Sequence, residues 1–563
     1  MNDEESEGKQ QQITHFFRKR KRSSDSIESK KICVDESMQR IDHQNESDDD
    51  QRDFPTFSEK VEKFPKWKEL RRKENCQFLF DVDSPDLAPY PKTFADKWDA
   101  NHVRMPFSLE NTKKMSRYGG LSSVLVPKRK EIMDGIGKYQ QPIENPVELL
   151  EAIQKYSKEV KDISLIDRFF EAHASIDEST DFFENILPKM QKMVAKAPEI
   201  LTQAPRLLKN GLRKEQMIWM TQEQCAHMLV LSFFCCWPKR AGRNAKEEYT
   251  RFNEINFTRF LSLNPTRSVI AKLRCIIQYF KSVTESMPKG VISFKRTFDR
   301  AIPNLDDPEF DFTEADWTPC KVVGKGLIED DGAEFIQADF ANKFIGGGTL
   351  GRGCVQEEIR FMICPELIIT QLLCEEMKKE ESIIVTGVQR FSRYTGYADS
   401  FRFDGAYEDP LVHHRDCYGR IPTEVFAIDA VNYVYPYPGD SPHDQFSARS
   451  IKRDILKAYT AFKGCTPATI ATGNWGCGAF GGDPELKFVI QMIAAALAKR
   501  PLHYFCFDDL MTPTGPKLSE TLDGIKSSII KKSIPFVFEL LTDYMPLRNG
   551  QEKFSEYLKN QDP

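Results

Sequence analysis

From Phe335 to Phe507 the chain repeats one theme, a short β-branched or aromatic run followed by a stretch with apolar residues at helical spacing. The runs Phe335–Phe340, Ser382–Thr386, Glu424–Val431, Ala468–Thr472 and Leu502–Phe507 predict strands. Glu366–Lys378, Ile451–Phe462 and Leu486–Lys499 predict helices between them. Strands alternating with helices imply an α/β layer, here a mixed sheet sandwiched by helices. Ligands of such sheets gather outside the carboxyl ends of strands, which is where both glycine-rich segments of this chain fall.

The 563 residues are too many for one hydrophobic core, so two or three units are expected. Residues 54–303 read as an all-α accessory domain, with helical periodicity over Glu144–Lys161, Ile186–Ala197, Glu215–Trp237 and Thr266–Thr284. Thr221 and Gln224 have capping-box spacing ahead of the apolar run Cys225–Trp237, and Pro238 ends it. That run is shorter than the roughly 20 residues a bilayer span needs, so a buried core helix is expected and no membrane anchor. Fourteen cysteines occur without a single CxxC, many inside apolar runs, which fits a reducing compartment.

Residues 1–53 are polar and end near the acidic Asp48–Asp50, a composition that predicts a disordered tail. Two motifs interrupt it. Gln10, Ile13, Phe16 and Phe17 have the spacing of a peptide that docks one helical turn on the replicative sliding clamp (PCNA). Arg18, Lys19, Arg20, Lys21 and Arg22 follow at once and point to nuclear import, with the cytoplasm as a second compartment. The net charge of −5 argues against general or sequence-specific nucleic-acid binding, while leaving room for a polyanion in a locally positive cleft.

The first glycine-rich segment runs from a strand ending in Asp339 through Asn342 to Gly346-Gly347-Gly348, then to Gln356-Glu357-Glu358. Three glycines let a backbone approach a sugar or phosphate without Cβ clashes. Adjacent carboxylates at the start of a helix point about 100° apart and repel one another's charge, favouring one proton-holding and one ionised role. The second segment, Gly473-Asn474-Trp475-Gly476-Cys477-Gly478-Ala479-Phe480-Gly481-Gly482, is followed by Asp483 as a cap and Pro484 at the first helical position. A glycine turn opening onto a helix is a natural diphosphate cradle. Gly476-x-Gly478-x-x-Gly481 also matches a dinucleotide fingerprint, with Asp508–Asp509 ending the next strand. Against that, the cap comes only after Gly482, and too little chain follows Asp508 for a second dinucleotide half.

The triple glycine, seven-residue spacer and Gln-Glu-Glu resemble the defining motif of poly(ADP-ribose) glycohydrolases. Arg393-Tyr-Thr-Gly-Tyr397-Ala, the Gly473–Gly482 loop, and Asp96-Lys-Trp98-Asp99 with His102–Pro106 resemble further motifs of that family, so the likeness spans Asp96 to Leu540. Within the motif, the spacer carries a basic Arg352. The resemblance implies a macrodomain-like catalytic domain at 304–563. It implies Glu358 as general acid on the ribose–ribose bond of poly(ADP-ribose) and Glu357 on the adjoining ribose. Asp339 and Asn342 would orient the loop, and Gln356 would touch substrate. Tyr397, Phe507, Ile328 and Glu329 would meet the adenosine end, with Phe480 on the reacting ribose. No cofactor is implied, and no metal; His413–His414 with Cys417 lacks a fourth ligand. A reader that binds ADP-ribose without cleaving it is the main alternative, and an intact Glu pair argues against it. An oxidoreductase and a clamp-tethered scaffold are weaker readings.

Overall fold

A computed structural model describes residues 54–63, 66–71, 73–117, 122–137, 142–239, 251–298, 315–434, 441–511, 516–544 and 553–561. The tail motifs at Gln10–Phe17 and Arg18–Arg22 lie outside the described residues.

The strands are β1 (Cys76–Phe78), β2 (Thr112–Arg117), β3 (Ser122–Pro127), β4 (Gln216–Thr221), β5 (Val291–Thr297), β6 (Cys320–Val323) and β7 (Ile336–Asp339). They continue with β8 (Ser382–Thr386), β9 (Ser392–Thr395), β10 (Arg402–Ala406), β11 (Glu424–Ala427), β12 (Ile470–Gly473) and β13 (Leu502–Phe505). Nine form one mixed sheet in the order β1-β4-β5-β8-β11-β7-β12-β13-β6. The five strands from β11 to β6 run parallel, while β4, β5, β8 and β11 pair antiparallel in turn. Two small hairpins, β2–β3 and β9–β10, stand apart from it.

The period-2 pattern of these strands decides which core each side chain enters. Ile383, Val385, Val425 and Ala427 join the apolar cluster that also holds the upstream helices. Ile384, Phe426, Ile336 and Ala338 face the opposite cluster, built with the downstream helices. Helices thus cover both faces, the condition under which parallel strands are stable.

The helices that position the site are α1 (Gln222–Phe233), α2 (Arg267–Glu285), α3 (Gln356–Ile363), α4 (Ala448–Gly464) and α5 (Pro484–Ala498). The Thr221–Gln224 capping box forms as its spacing predicts: Gln224 N–H donates to Thr221 Oγ1 at 3.1 Å, and Thr221 N–H donates to Gln224 Oε1 at 3.0 Å.

Two expectations need correction. The region 54–303 is helical but not all-α, because β1, β4 and β5 extend the central sheet across the expected boundary at 303/304. Glu215–Trp237 is accordingly a strand followed by a helix. Ile218, Trp219 and Met220 are buried, and an apolar run buried on both faces cannot be told from a core helix by periodicity. The expected helix Glu366–Lys378 shortens to a 3-10 turn, Pro365–Ile368, and one helical turn, Ile369–Leu373. Beyond it, the buried Arg296 side chain draws the chain against β5 by donating to the Glu375 carbonyl and, at 2.6 Å, to the Glu381 carboxylate.

Among the described residues no helix is long and apolar enough to cross a membrane.

Candidate active site

β7 and β12 are neighbours in the parallel part of the sheet, so the two glycine-rich loops leave the same carboxyl edge side by side. After Asp339 the chain turns, and α3 begins at Gln356. The Gln356 side chain fixes that geometry: its amide donates to the Ala338 carbonyl at 2.9 Å and accepts the Phe340 N–H at 2.8 Å. Gln356 therefore holds the strand end to the helix, a different occupation from the expected substrate contact.

The loop wraps both carboxylates. Glu357 accepts the N–H groups of Gly346 at 2.6 Å and Asn342 at 2.9 Å. Glu358 accepts those of Gly348 at 2.9 Å and Val355 at 3.0 Å. Both side chains are buried. A Cβ on Gly347, whose φ is +44°, would lie 2.6 Å from Glu357 Oε2 and 2.8 Å from Glu358 Oε1, so only glycine fits there. One backbone point thus borders both carboxylates.

Burial pushes the Glu357 carboxyl well above its ordinary range; the charges of Asp339 and Glu358 add to this, and the N–H groups of Asn342 and Gly346 oppose it. Asp339 is raised in the same way by burial and then by Glu358, with Arg360 opposing. Its two carboxyl oxygens are buried without a hydrogen-bond partner among the described residues. The proton-holding tendency expected of the Glu pair is therefore shared by Glu357 and Asp339. Tyr397 stands beside this group: burial, then the Glu358 charge, raises its hydroxyl.

Of the adenosine-end candidates, Ile328 and Phe507 meet at the outer parallel strands. Ile328, Ala471 and Phe505 form a small apolar cluster, with Phe340 and Phe507 packed on it. Ile328 is buried there, so its backbone rather than its side chain is left to read a ligand edge. The Glu329 carboxylate accepts the Tyr394 hydroxyl. Arg390 steadies the turn by pairing with Asp330 while lying 4.2 Å from the Tyr407 ring centre.

The second loop is anchored from behind. Trp475 is fully buried and donates its indole N–H to the Ile428 carbonyl at 3.0 Å, so its side chain is core and cannot touch a ligand. Lys487 lies 4.2 Å from the Trp475 ring centre and pairs with Asp454. Arg453 joins Asp454 at 2.7 Å to Asp429 at 2.6 Å, and Lys457 closes on Asp429 at 2.7 Å. Asn474 ties the loop to β13 by donating to the Cys506 carbonyl at 2.6 Å. At the tip, the N–H groups of Gly478, Ala479 and Phe480 donate to no backbone carbonyl among the described residues, and Gly478 borders open space. Consecutive free N–H groups form an anion nest. Asp483 caps α5 by accepting the Leu486 N–H at 2.9 Å. A diphosphate would thus meet the loop tip and not the helix end, which refines the cradle expected from sequence. Asp508 accepts the Ser519 N–H at 2.9 Å and hydroxyl at 2.6 Å, an occupation unlike that of a dinucleotide-site carboxylate.

Two side chains that reach the first loop were not singled out from sequence. Asn253 and Lys272, both from upstream of β5, donate to its carbonyls. The available signal was Lys272 itself, an ammonium three residues after Val269 and four before Ile276 on the apolar stripe of α2. Among the described residues, no group of three or more His, Cys, Asp or Glu side chains is placed to hold a metal.

Two family models match this chain: the poly(ADP-ribose) glycohydrolase macro domain fold over residues 308–513, and the helical domain of the same family over residues 174–296. Poly(ADP-ribose) glycohydrolase 1 of Arabidopsis thaliana is 32% identical over 454 residues, covering 66% of this chain and 79% of its own length. Poly(ADP-ribose) glycohydrolase 2 of Caenorhabditis elegans is 28% identical over 417 residues, covering 72% and 80%. A solved structure of the Deinococcus radiodurans poly(ADP-ribose) glycohydrolase in complex with ADP-ribose is 16% identical, covers 34% of this chain and 78% of its own, and has a TM-score of 0.23.

Proposed function

This chain belongs to the poly(ADP-ribose) glycohydrolase family and is a glycosidase, and we propose that it releases ADP-ribose from poly(ADP-ribose) with Glu358 as general acid and base. The observation that carries the assignment is the glycine loop closed around Glu357 and Glu358, each carboxylate held by two backbone N–H groups.

In this reading Glu358 donates its proton to the 2′-oxygen leaving the ribose–ribose bond, and an oxocarbenium-like centre develops at the anomeric carbon from which that oxygen departs. Water then adds to that carbon and returns its proton to Glu358. Glu357, between Asn342 and Gly346, holds the adjoining ribose hydroxyls, and the diphosphate on the Gly478–Phe480 nest brings negative charge toward the developing cation. Asp339 and Asn342 keep the loop in register. A reader of ADP-ribose gains nothing from burying three carboxyl groups together, an arrangement that weakens the fold and is retained where chemistry uses it.

The tail reading is a separate proposal. Gln10, Ile13, Phe16 and Phe17 would dock on the sliding clamp (PCNA), and Arg18–Arg22 would direct nuclear import, placing the enzyme where protein poly-ADP-ribosylation is reversed during DNA damage or replication. Titrating a peptide of residues 8–24 against the clamp, with and without Phe16→Ala and Phe17→Ala, tests the docking; equal affinities would end it.

The catalytic proposal is tested by measuring free ADP-ribose released from purified poly(ADP-ribose) by the native chain and by Glu358→Gln. Release that disappears in the variant while ADP-ribose binding persists supports it. A native chain that binds ADP-ribose and releases none would make the protein a reader.

A further inference from the structure

The glycine loop presents its N–H groups to the carboxylates, so its carbonyls point the other way, toward the helical region. Asn253 meets them there. Its side-chain amide donates to the Gly347 carbonyl at 2.9 Å and to the Ile345 carbonyl at 3.4 Å, while its own oxygen accepts the Glu254 N–H at 3.0 Å. The Gly347 carbonyl belongs to the same peptide group as the Gly348 N–H, which donates to Glu358. The Ile345 carbonyl shares its peptide group with the Gly346 N–H, which donates to Glu357. A peptide group is planar and trans, so fixing its carbonyl aims its N–H in the opposite direction. One asparagine therefore aims one donor at each carboxylate.

Lys272 holds the outer arc of the same loop. Fully buried in α2, its ammonium donates to the carbonyls of Gly348 at 3.3 Å, Gly351 at 2.8 Å and Gly353 at 2.6 Å. Three converging carbonyl oxygens repel one another unless a cation sits between them. Among the described residues Lys272 forms no ion pair; the groups that act on it are Glu358 and the thiols of Cys354 and Cys275, with the Phe260 ring centre 5.8 Å away. Burial lowers it to about 8.

We propose that Asn253 and Lys272 are positioning residues for catalysis, Asn253 setting the two peptide groups that hold Glu357 and Glu358 and Lys272 closing the loop around them. The helical region would then be part of the active site and not only a support for it. The inference rests on the reading of Glu358 as the acid.

The test measures kcat, KM and ADP-ribose affinity for Asn253→Asp, Asn253→Ala, Lys272→Met and Lys272→Arg beside Glu358→Gln. Asn253→Asp keeps the shape, removes both donors and sets a carboxylate against two carbonyls. Its kcat should fall about a hundredfold, the scale of a small misplacement of reacting groups, with ADP-ribose affinity changed by less than about threefold. Asn253→Ala should lose about tenfold in kcat. Lys272→Met removes the ammonium that gathers the Gly348, Gly351 and Gly353 carbonyls, so kcat should fall about tenfold with ADP-ribose affinity changed by less than about threefold, and Lys272→Arg should recover part of that loss. Should Lys272→Met fail to fold, the two Asn253 variants, at a half-buried position, decide the matter. Native kcat in a folded Asn253→Asp overturns the proposal, as does a loss of kcat matched by an equal loss of ADP-ribose affinity. Full activity in Glu358→Gln would remove the acid assignment; an inactive Glu358→Gln beside a fully active Asn253→Asp would remove the positioning role alone.

Discussion

The loop after β7 turns the N–H groups of Gly346 and Gly348 inward onto two carboxylates, whereas the loop after β12 leaves those of Gly478, Ala479 and Phe480 without a backbone acceptor among the described residues. Both loops are rich in glycine and both leave the same edge of one sheet. In the first, glycine is needed because a side chain would collide with the carboxylates; in the second, the tip glycine borders open space. The first loop binds its own acids, while the second presents donors without an internal backbone acceptor, the arrangement the proposed diphosphate contact calls for. One residue type thus serves either to place an internal charge or to receive an external one, and the neighbouring acceptors decide which.

The largest effect should come from removing the acid inside the first loop. Glu358→Gln keeps the side-chain shape and an oxygen for one of the two backbone N–H groups, from Gly348 or Val355, and cannot transfer a proton. The rate of ADP-ribose release should drop by about 10²–10⁴, the usual range for general acid catalysis, with ADP-ribose affinity retained. A residual rate near native would mean that the protonation is done elsewhere, with Glu357 the next candidate.

Gly347→Ala attacks the same loop through its backbone. The added methyl would sit under 3 Å from both carboxylates, at a φ that L residues rarely adopt, so the loop has to open. A loss of about a hundredfold in kcat is expected with a smaller change in affinity, read from steady-state kinetics on polymer. Equal losses in kcat and ADP-ribose affinity would instead show that the two loops open together.

Asp339 sharpens the comparison from the stability side. Its folded-state pKa is raised by burial and by Glu358. Below the ordinary Asp value of 3.8 the carboxyl is protonated in both folded and unfolded chains. As pH rises past that value the unfolded chain releases the proton and the fold does not, so stability is lost until pH passes the folded value. Asp339→Asn should therefore raise the unfolding midpoint, by the equivalent of on the order of 1 kcal/mol in unfolding free energy and more at pH 8 than at pH 5, while lowering activity. A midpoint unchanged between the two pH values would mean that Asp339 has found a partner in solution.

The parallel sheet was legible because its strands are short, β-branched and separated by helices of ordinary length; Ser382–Thr386 forms over the residues expected. The meeting of the triple glycine with Glu357 and Glu358 was within reach of the sequence because the bonded residues lie only 10 and 11 positions apart, while the roles of the pair came from the family resemblance. Strand β4 was not, because Ile218–Met220 is buried on both faces and its period is hidden. Nor was the role of Asn253, whose partners Ile345 and Gly347 lie more than ninety positions away in the chain. Burial of the Trp475 ring was not legible either: local spacing places it within a glycine-rich loop, and only the fold shows its indole N–H donating to the Ile428 carbonyl with the ring in the core.

The smallest effect is expected at Gly478, and it is the most direct contrast with Gly347. A Cβ there meets nothing within 4 Å, and its φ lies outside the left-handed range, so alanine fits without strain. The N–H that faces the nest is untouched by the substitution. Gly478→Ala should keep kcat and thermal stability within the roughly ±0.5 kcal/mol usual for a surface change, with any loss confined to ADP-ribose affinity. A fall in kcat as large as that of Gly347→Ala would mean that the second loop closes onto the reacting sugar during turnover. In that case the division between a loop that holds its own acids and a loop that waits for an anion would fail, and the two would have to be treated as one moving element.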